Sequence, residues 1–267
     1  MQSLDYLDHL QRESARFLTA VLAAAPDAPV PSCPGWTADD LLWHLAEVQW
    51  FWGEVVRSGT DDPAPVEARK PARPGDRDAL AEFYRVASGG LLAALAAADP
   101  GDPAWTWSDD HTVGFVRRRQ AQEALVHRVD AELAAGVRTP LDPLLASDGV
   151  DEALRVMYGG LPGWGTYTPT AGPLRVTATD TGAGWLFTVG RFVGTDPDSG
   201  RAYDEAVLEI AGDPGRHDDI EVAAVVSGSA GDLDCHLWNR PPLGTVERAG
   251  DPTALAAFDA VLAEGIQ

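Results

Sequence analysis

The chain has 267 residues, 41 of them acidic and 20 basic, for a formal charge of −21, with 45% hydrophobic residues. That length allows one large domain or two modest ones with real cores. The charge repels phosphate backbones and anionic lipid surfaces alike, which argues against nucleic-acid and membrane partners. Cys33 and Cys235 are the only cysteines; two so far apart exclude a disulfide framework and a CxxC motif, and a reducing cytoplasm is the expected compartment.

The N-terminus carries acids and no signal-peptide core, and no later segment reaches the roughly 18 uninterrupted apolar residues of a membrane span. From Leu4 to Ala25, Leu7, Leu10, Phe17, Leu18, Val21 and Leu22 recur near helical spacing until Pro26, Pro29 and Pro31 end the run. Cys33-Pro34-Gly35-Trp36 then makes a turn in which Cys33 packs near a helix entrance. Thr37 caps the second helix, with Asp40 as its acidic capping partner and Trp36 placed to staple onto Leu41. This helix runs to about Ser58 with an apolar stripe of Leu41, Leu45, Val48 and Val55, and His44 falls within that stripe.

Gly59 to Gly75, holding four prolines among charges of both signs, reads as a long irregular loop able to cover a pocket. A third, Ala-rich helix spans about Arg77 to Ala98, with Leu80, Phe83, Tyr84, Val86, Leu91, Leu92 and Leu95 as its apolar set and a possible kink at Gly89-Gly90. A fourth runs from about Val113 to Ala135 and stops at Gly136, its core face marked by Phe115, Val126, Val129 and Leu133. Its basic run Arg117-Arg118-Arg119 reads as a solvated or ion-paired face. Four such helices make a bundle, a common place for metal ligands.

After a linker near Val137–Pro143 and a short helix over Asp148–Tyr158, turn formers crowd Gly159–Pro173. The period then changes to two: 174–179, 185–189, 206–210 and 220–226 read as strands, Ser229 caps a helix through Trp238, and Asp251-Pro252 opens a last helix. The expected organisation is an all-α domain over residues 1–140 and an α+β domain with a mostly antiparallel sheet over residues 145–267.

The chemistry concentrates in Glu123-Ala-Leu-Val-His127, where a carboxylate and an imidazole four residues apart lie one turn above the other on one helix face. His44, turned inward on a different helix, is the natural third ligand. Two nitrogens and one oxygen leave a coordination position open, as in catalytic rather than structural zinc-type sites. A lone ExxxH is too little for a carboxylate-bridged di-iron site. Asp130, on the same side as His127, either orients a ligand imidazole by a hydrogen bond or pairs with a neighbouring arginine. His9, His111, His217 and His236 have no partner at ligand spacing and read as surface or capping residues. Trp43, Trp50 and Trp52 read mostly as packing, with one or two available to line a ligand cleft.

Pro34-Gly35-Trp36-Thr37, Leu42-Trp43-His44-Leu45, Thr112-Val113-Gly114-Phe115 and Glu123 through Glu132 closely resemble the mycothiol-dependent maleylpyruvate isomerase family, and Ser227–Asp232 with Leu237–Arg240 is similar to its C-terminal piece. The resemblance implies a DinB-like four-helix metal-binding bundle followed by a smaller α+β domain. It places a divalent metal, zinc first, on His44, Glu123 and His127, with mycothiol as thiol cosubstrate. It also implies a catalytic arginine from the second domain, for which Arg240 is the nearest match; Arg191 and Arg128 are further cations for a dicarboxylate substrate. Two reactions follow from one activated thiolate: addition to a cis double bond, rotation and elimination, or transfer of the thiol to a small-molecule electrophile. A non-catalytic metal-dependent binding or regulatory protein is the alternative, and oligomeric state stays open.

Overall fold

A computed structural model describes residues 4–212, 215 and 220–265. The chain divides into two compact units, Met1–Thr139 and Pro140–Gln267. The first is helical and the second, somewhat smaller, is α+β.

The first unit holds α1 (Tyr6–Ala23), α2 (Ala38–Ser58), the short α3 (Ala64–Glu67), α4 (Arg77–Ala97) and α5 (Val113–Ala134). Helix α1 packs chiefly on α5, and α2 on α4. The core joins Phe17 and Val21 of α1, Leu41, Leu42 and Leu45 of α2, Leu80 and Tyr84 of α4, and Ala131 of α5. Gly53 lets α2 approach α4 closely: a Cβ there would stand 3.2 Å from the Leu91 Cα. Helix α4 is long and apolar enough in composition to cross a bilayer, but Leu80, Tyr84, Leu91 and Leu95 are buried within the protein. It runs unbroken through Gly89-Gly90. Val86, read as part of its apolar set, is 64% exposed, because it falls on the face opposite Leu80, Tyr84 and Leu91.

Helix α2 is fixed at its start by a full capping box. Thr37 Oγ1 accepts from the Asp40 N–H and the Asp40 carboxylate accepts from the Thr37 N–H at 2.9 Å. The Thr37 N–H, then Arg73 and the Thr37 hydroxyl, hold the Asp40 pKa down at about 2. Stability from this group is therefore present above its ordinary value of 3.8 and is lost as pH falls toward 2. Thr37→Ala is expected to lower the unfolding free energy by about 1 kcal/mol at neutral pH, measured by urea denaturation; no change would mean that packing alone sets the helix start. Helix α5 ends with Gly136 at φ 70°, a left-handed conformation that favours glycine.

The strongest departure from the sequence reading in this unit is α5 itself. Nearly every side chain from Arg119 to Glu132 is buried, polar ones included, so its periodicity marks no single core face. The Gly59–Gly75 segment is also less irregular than expected, since α3 interrupts it and buries Val66.

The second unit opens with α6 (Pro143–Glu152) and runs into a π-helical turn, Ala153–Met157. The strands are β1 (Thr166–Pro169), β2 (Leu174–Ala178), β3 (Gly184–Thr195), β4 (Ala202–Ile210), β5 (Ala224–Gly228) and β6 (Glu247–Gly250), with α7 (Ala230–Leu237) after β5 and α8 (Pro252–Glu264) at the end. The sheet order is β1-β3-β2-β5-β6, with β4 paired to β3. All pairings are antiparallel except β2 with β5. Strand β3 pairs with β2 through its first half and with β1 through its second, while β4 covers its other side.

Strand β5 begins at Ala224 rather than Ile220, which is exposed. Strands β1 and β6 carry no strand signal in the sequence, being four residues long, almost wholly exposed and without alternation. Phe187 and Phe258 join Trp185, Val176, Val226, Leu208 and Leu154 in one core between sheet and helices. Burial pushes the Tyr158 phenol up to about 12, against the opposing charge of Arg240, and its hydroxyl donates to the Leu237 carbonyl at 2.6 Å.

Candidate metal centre

The capped α2 presents His44 toward α5, and α5 stacks Glu123 and His127 one turn apart. His44 Nε2 lies 3.4 Å from Glu123 Oε1, and His127 Nε2 lies 3.1 Å from the same oxygen. The two imidazoles meet edge to face, with ring centroids 4.9 Å apart, and the Trp36 ring covers His44 at 4.8 Å. One donor atom from each of the three residues lies within 4.8 Å of the others.

This donor set fits a single divalent ion. Bonds of about 2.1 Å in tetrahedral geometry place donor atoms roughly 3.4 Å apart, close to the two imidazole–carboxylate separations, and the imidazole donors lie within 4.8 Å of each other. His44 is partly exposed, Glu123 is largely buried and His127 is buried, so the three residues are reached from the His44 side and not sealed in the core.

The Asp130 carboxylate faces His127. It is fully buried, and its Oδ2 lies 2.9 Å from His127 Nδ1. A carboxylate only accepts, so Nδ1 carries the proton and Nε2 is turned to the centre. The turn before α2 completes this contact: Ser32 Oγ donates to Asp130 Oδ1, and the Cys33 thiol to Oδ2 at 3.6 Å. Burial would lower the His127 pKa, but the Glu123 charge and the bonds to Asp130 and Glu123 outweigh it and raise it to about 9. Burial acts on Glu123 in the opposite sense, and the His127 charge, bonds from both imidazoles and the Arg119 charge together hold its carboxyl well below the usual range.

Several cations differ from their sequence reading. Arg119 takes the ion-paired alternative, but buried: it is 4% exposed and its Nη2 donates to Glu123 Oε2 at 2.9 Å, leaving Oε1 to the imidazoles. Arg117 donates to the Leu95 and Ala98 carbonyls at the end of α4. Arg128 cannot greet a substrate, because it is wholly buried between Glu13 and Glu132. Arg191 pairs with Asp204 on the sheet. Arg240 follows α7 in the second unit, where its Nη1 donates to the Trp238 carbonyl at 2.6 Å.

Among the other histidines, His9 is buried, against expectation, with its Nδ1 3.1 Å from Arg12 Nη2. His111 is exposed, His236 is partly buried on α7, and His217 lies outside the described residues. Trp43 packs on Phe83, and Trp52 stacks on Trp105.

The mycothiol maleylpyruvate isomerase N-terminal domain profile matches residues 7–132, and the C-terminal domain profile of the same family matches residues 144–257. This chain belongs to the mycothiol maleylpyruvate isomerase family. Two crystal structures share its fold. One is a mycothiol-dependent maleylpyruvate isomerase at 13% identity and TM-score 0.56, covering 92% of this chain and 93% of the other. The second, a histidine-to-alanine mutant of a mycothiol-dependent maleylpyruvate isomerase, is 12% identical with the same TM-score and coverage. No curated protein sequence matches. Within the family's N-terminal domain, the matched span contains all of His44, Glu123, His127 and Asp130.

Proposed function

We propose that this chain is a metal-dependent enzyme that activates mycothiol for attack on a small electrophile, as a mycothiol S-transferase or as a maleylpyruvate isomerase-like cis–trans isomerase. The observation that carries the reading is the convergence of His44, Glu123 and His127 at a partly open rim in a member of this family. Residues His44, Glu123 and His127 would hold a divalent ion, zinc being the first candidate for two imidazoles and a carboxylate. When bound there, such an ion supplies positive charge that favours the thiolate form of a thiol mostly protonated at neutral pH.

The chain's own residues do the rest. Asp130 keeps the proton on His127 Nδ1 so that Nε2 points at the centre. Arg119 occupies one oxygen of Glu123 and so fixes which oxygen faces the imidazoles. Trp36 walls the His44 ring. Arg240 is proposed as the cation from the second domain that binds an anionic group of the substrate. The thiol comes from mycothiol, and the chain's own Cys33 and Cys235, both unbridged, suit a reducing cytoplasm.

The test is metal analysis beside a mycothiol-dependent assay, run on the wild type, His44→Ala and His127→Ala with maleylpyruvate and with alkylating electrophiles. Full metal content and activity in both variants would remove this reading. Consumption of mycothiol during turnover identifies the transferase, and its regeneration the isomerase. Asp130→Ala is expected to weaken metal affinity by about 10–100-fold, read by competition with a chelator; unchanged affinity would reduce Asp130 to a packing role.

A further inference from the structure

On α2, the helix that carries His44, lies a cavity of about 400 Å³, lined by Glu47, Val48, Trp50, Phe51 and Trp52 and from the following segment by Glu67 and Lys70. Glu47, Val48 and Phe51 come three, four and seven residues after His44. They therefore share its face of α2, and Val48 and Phe51 stand about 6 and 10 Å along the axis at roughly 1.5 Å per residue. The cavity thus begins one turn from the His44 imidazole.

We propose that this cavity is the subsite for an uncharged aromatic portion of the electrophile. The assignment rests on the metal-site reading above, and it follows from the chemistry of the walls. The aromatic side chains favour a flat apolar group by stacking and area burial. The charges disfavour a dicarboxylate: Glu47 already holds the one ammonium of the lining, that of Lys70, at 2.6 Å, and the remaining charge is the exposed Glu67 carboxylate.

The outer wall is held on α2 by a ladder of ion pairs. Arg69 meets Glu54 at 3.3 Å, Lys70 meets Glu47, Arg73 meets Asp40 at 2.6 Å, and Arg77 meets Asp39 at 2.9 Å. The segment thus runs antiparallel to the helix, with Val66 buried as its anchor. Each exposed pair contributes little alone, but four in register keep the wall over the rings.

The test uses the metal-loaded full chain. Calorimetric titration with 1,3-dinitrobenzene is expected to show binding that Val48→Phe, whose ring fills the space of a partly exposed side chain, weakens about tenfold at wild-type metal content. Maleate is expected to give no binding heat at this subsite. In the mycothiol assay, 1-chloro-2,4-dinitrobenzene reports the same subsite: the thiol sulfur bonds to the carbon bearing chlorine, chloride leaves with the bonding pair, and the thiol proton goes to solvent. The ratio of its kcat/KM to that for iodoacetamide should fall about tenfold in Val48→Phe. Dinitrobenzene affinity or a kcat/KM ratio that Val48→Phe leaves unchanged, or maleate binding weakened by Val48→Phe to the same extent, overturns the assignment. Because calorimetry reads the subsite without thiol or turnover, its outcome is independent of whether His44→Ala and His127→Ala abolish activity.

Discussion

His127→Ala is expected to purify folded but with metal content close to that of chelator-stripped wild type, and with mycothiol-dependent turnover reduced more than about 100-fold. The magnitude comes from comparison: removing a group that only orients a ligand costs about 10–100-fold in metal affinity, and His127 is the proposed ligand, with Asp130 2.9 Å behind it. His44→Ala should fail in the same way although it lies on a different helix and is partly exposed. That pairing separates a shared metal from a local packing effect. Circular dichroism and denaturation midpoints near wild type, with lost metal in both variants, are the expected pattern. A large stability loss in His127→Ala with wild-type metal retention in His44→Ala would show that the α5 histidine is structural.

The second large effect lies in the first unit's core and concerns stability rather than metal. Arg128 is fully buried; its Nε donates to Glu13 Oε2 at 2.6 Å, and its Nη1 donates to Glu132 Oε1 at 2.9 Å and to the Thr139 hydroxyl at 2.8 Å. Thr139 in turn gives its N–H to Glu132 Oε2 at 2.8 Å, and Arg16 reaches Glu13 at 3.3 Å. Two arginines thus balance two glutamates that water barely reaches.

Replacing Arg128 by Met keeps much of the volume but leaves two buried carboxylates with the partly exposed Arg16 as their shared cation. Breaking one partner of a buried pair costs about 3–5 kcal/mol, a large share of a typical 5–15 kcal/mol domain stability. Arg128→Met should therefore lower the unfolding free energy by that amount in urea. Adding Glu13→Gln should recover part of the loss, because one uncompensated charge disappears. A single-variant effect below about 1 kcal/mol, or strictly additive losses, would show that the network carries little net stability.

Much of this protein is legible in its residues alone. The turn at Cys33–Trp36, the cap at Thr37 and the stop at Gly136 are local chemistry, so α2 and α5 begin and end close to where the sequence places them. Ser229 and Asp251-Pro252 mark α7 and α8 for the same reason. Glu123 and His127 share a face because helical spacing requires it. Strands with clear alternation, such as β2, are read; β1 and β6, which carry no buried face, are not.

Tertiary structure alone decided which polar side chains became interior. Arg119, Arg128, His9 and Glu13 look like surface residues by type, because charge is rarely buried without a partner, and their partners lie on other helices or a turn away. Helical periodicity assumes one dry face and one wet face, an assumption that α5 breaks by being enclosed nearly all round. The sequence by itself determined the four long helices of the first unit, the carboxylate–imidazole pair and the family resemblance, while α3 and the start of α6 fall where it reads a loop and a linker. Only the fold determined that His44 meets that pair, that Ser32 and Cys33 hold Asp130 behind it, and that Arg128 is enclosed with Glu13, because each depends on contacts between segments far apart along the chain.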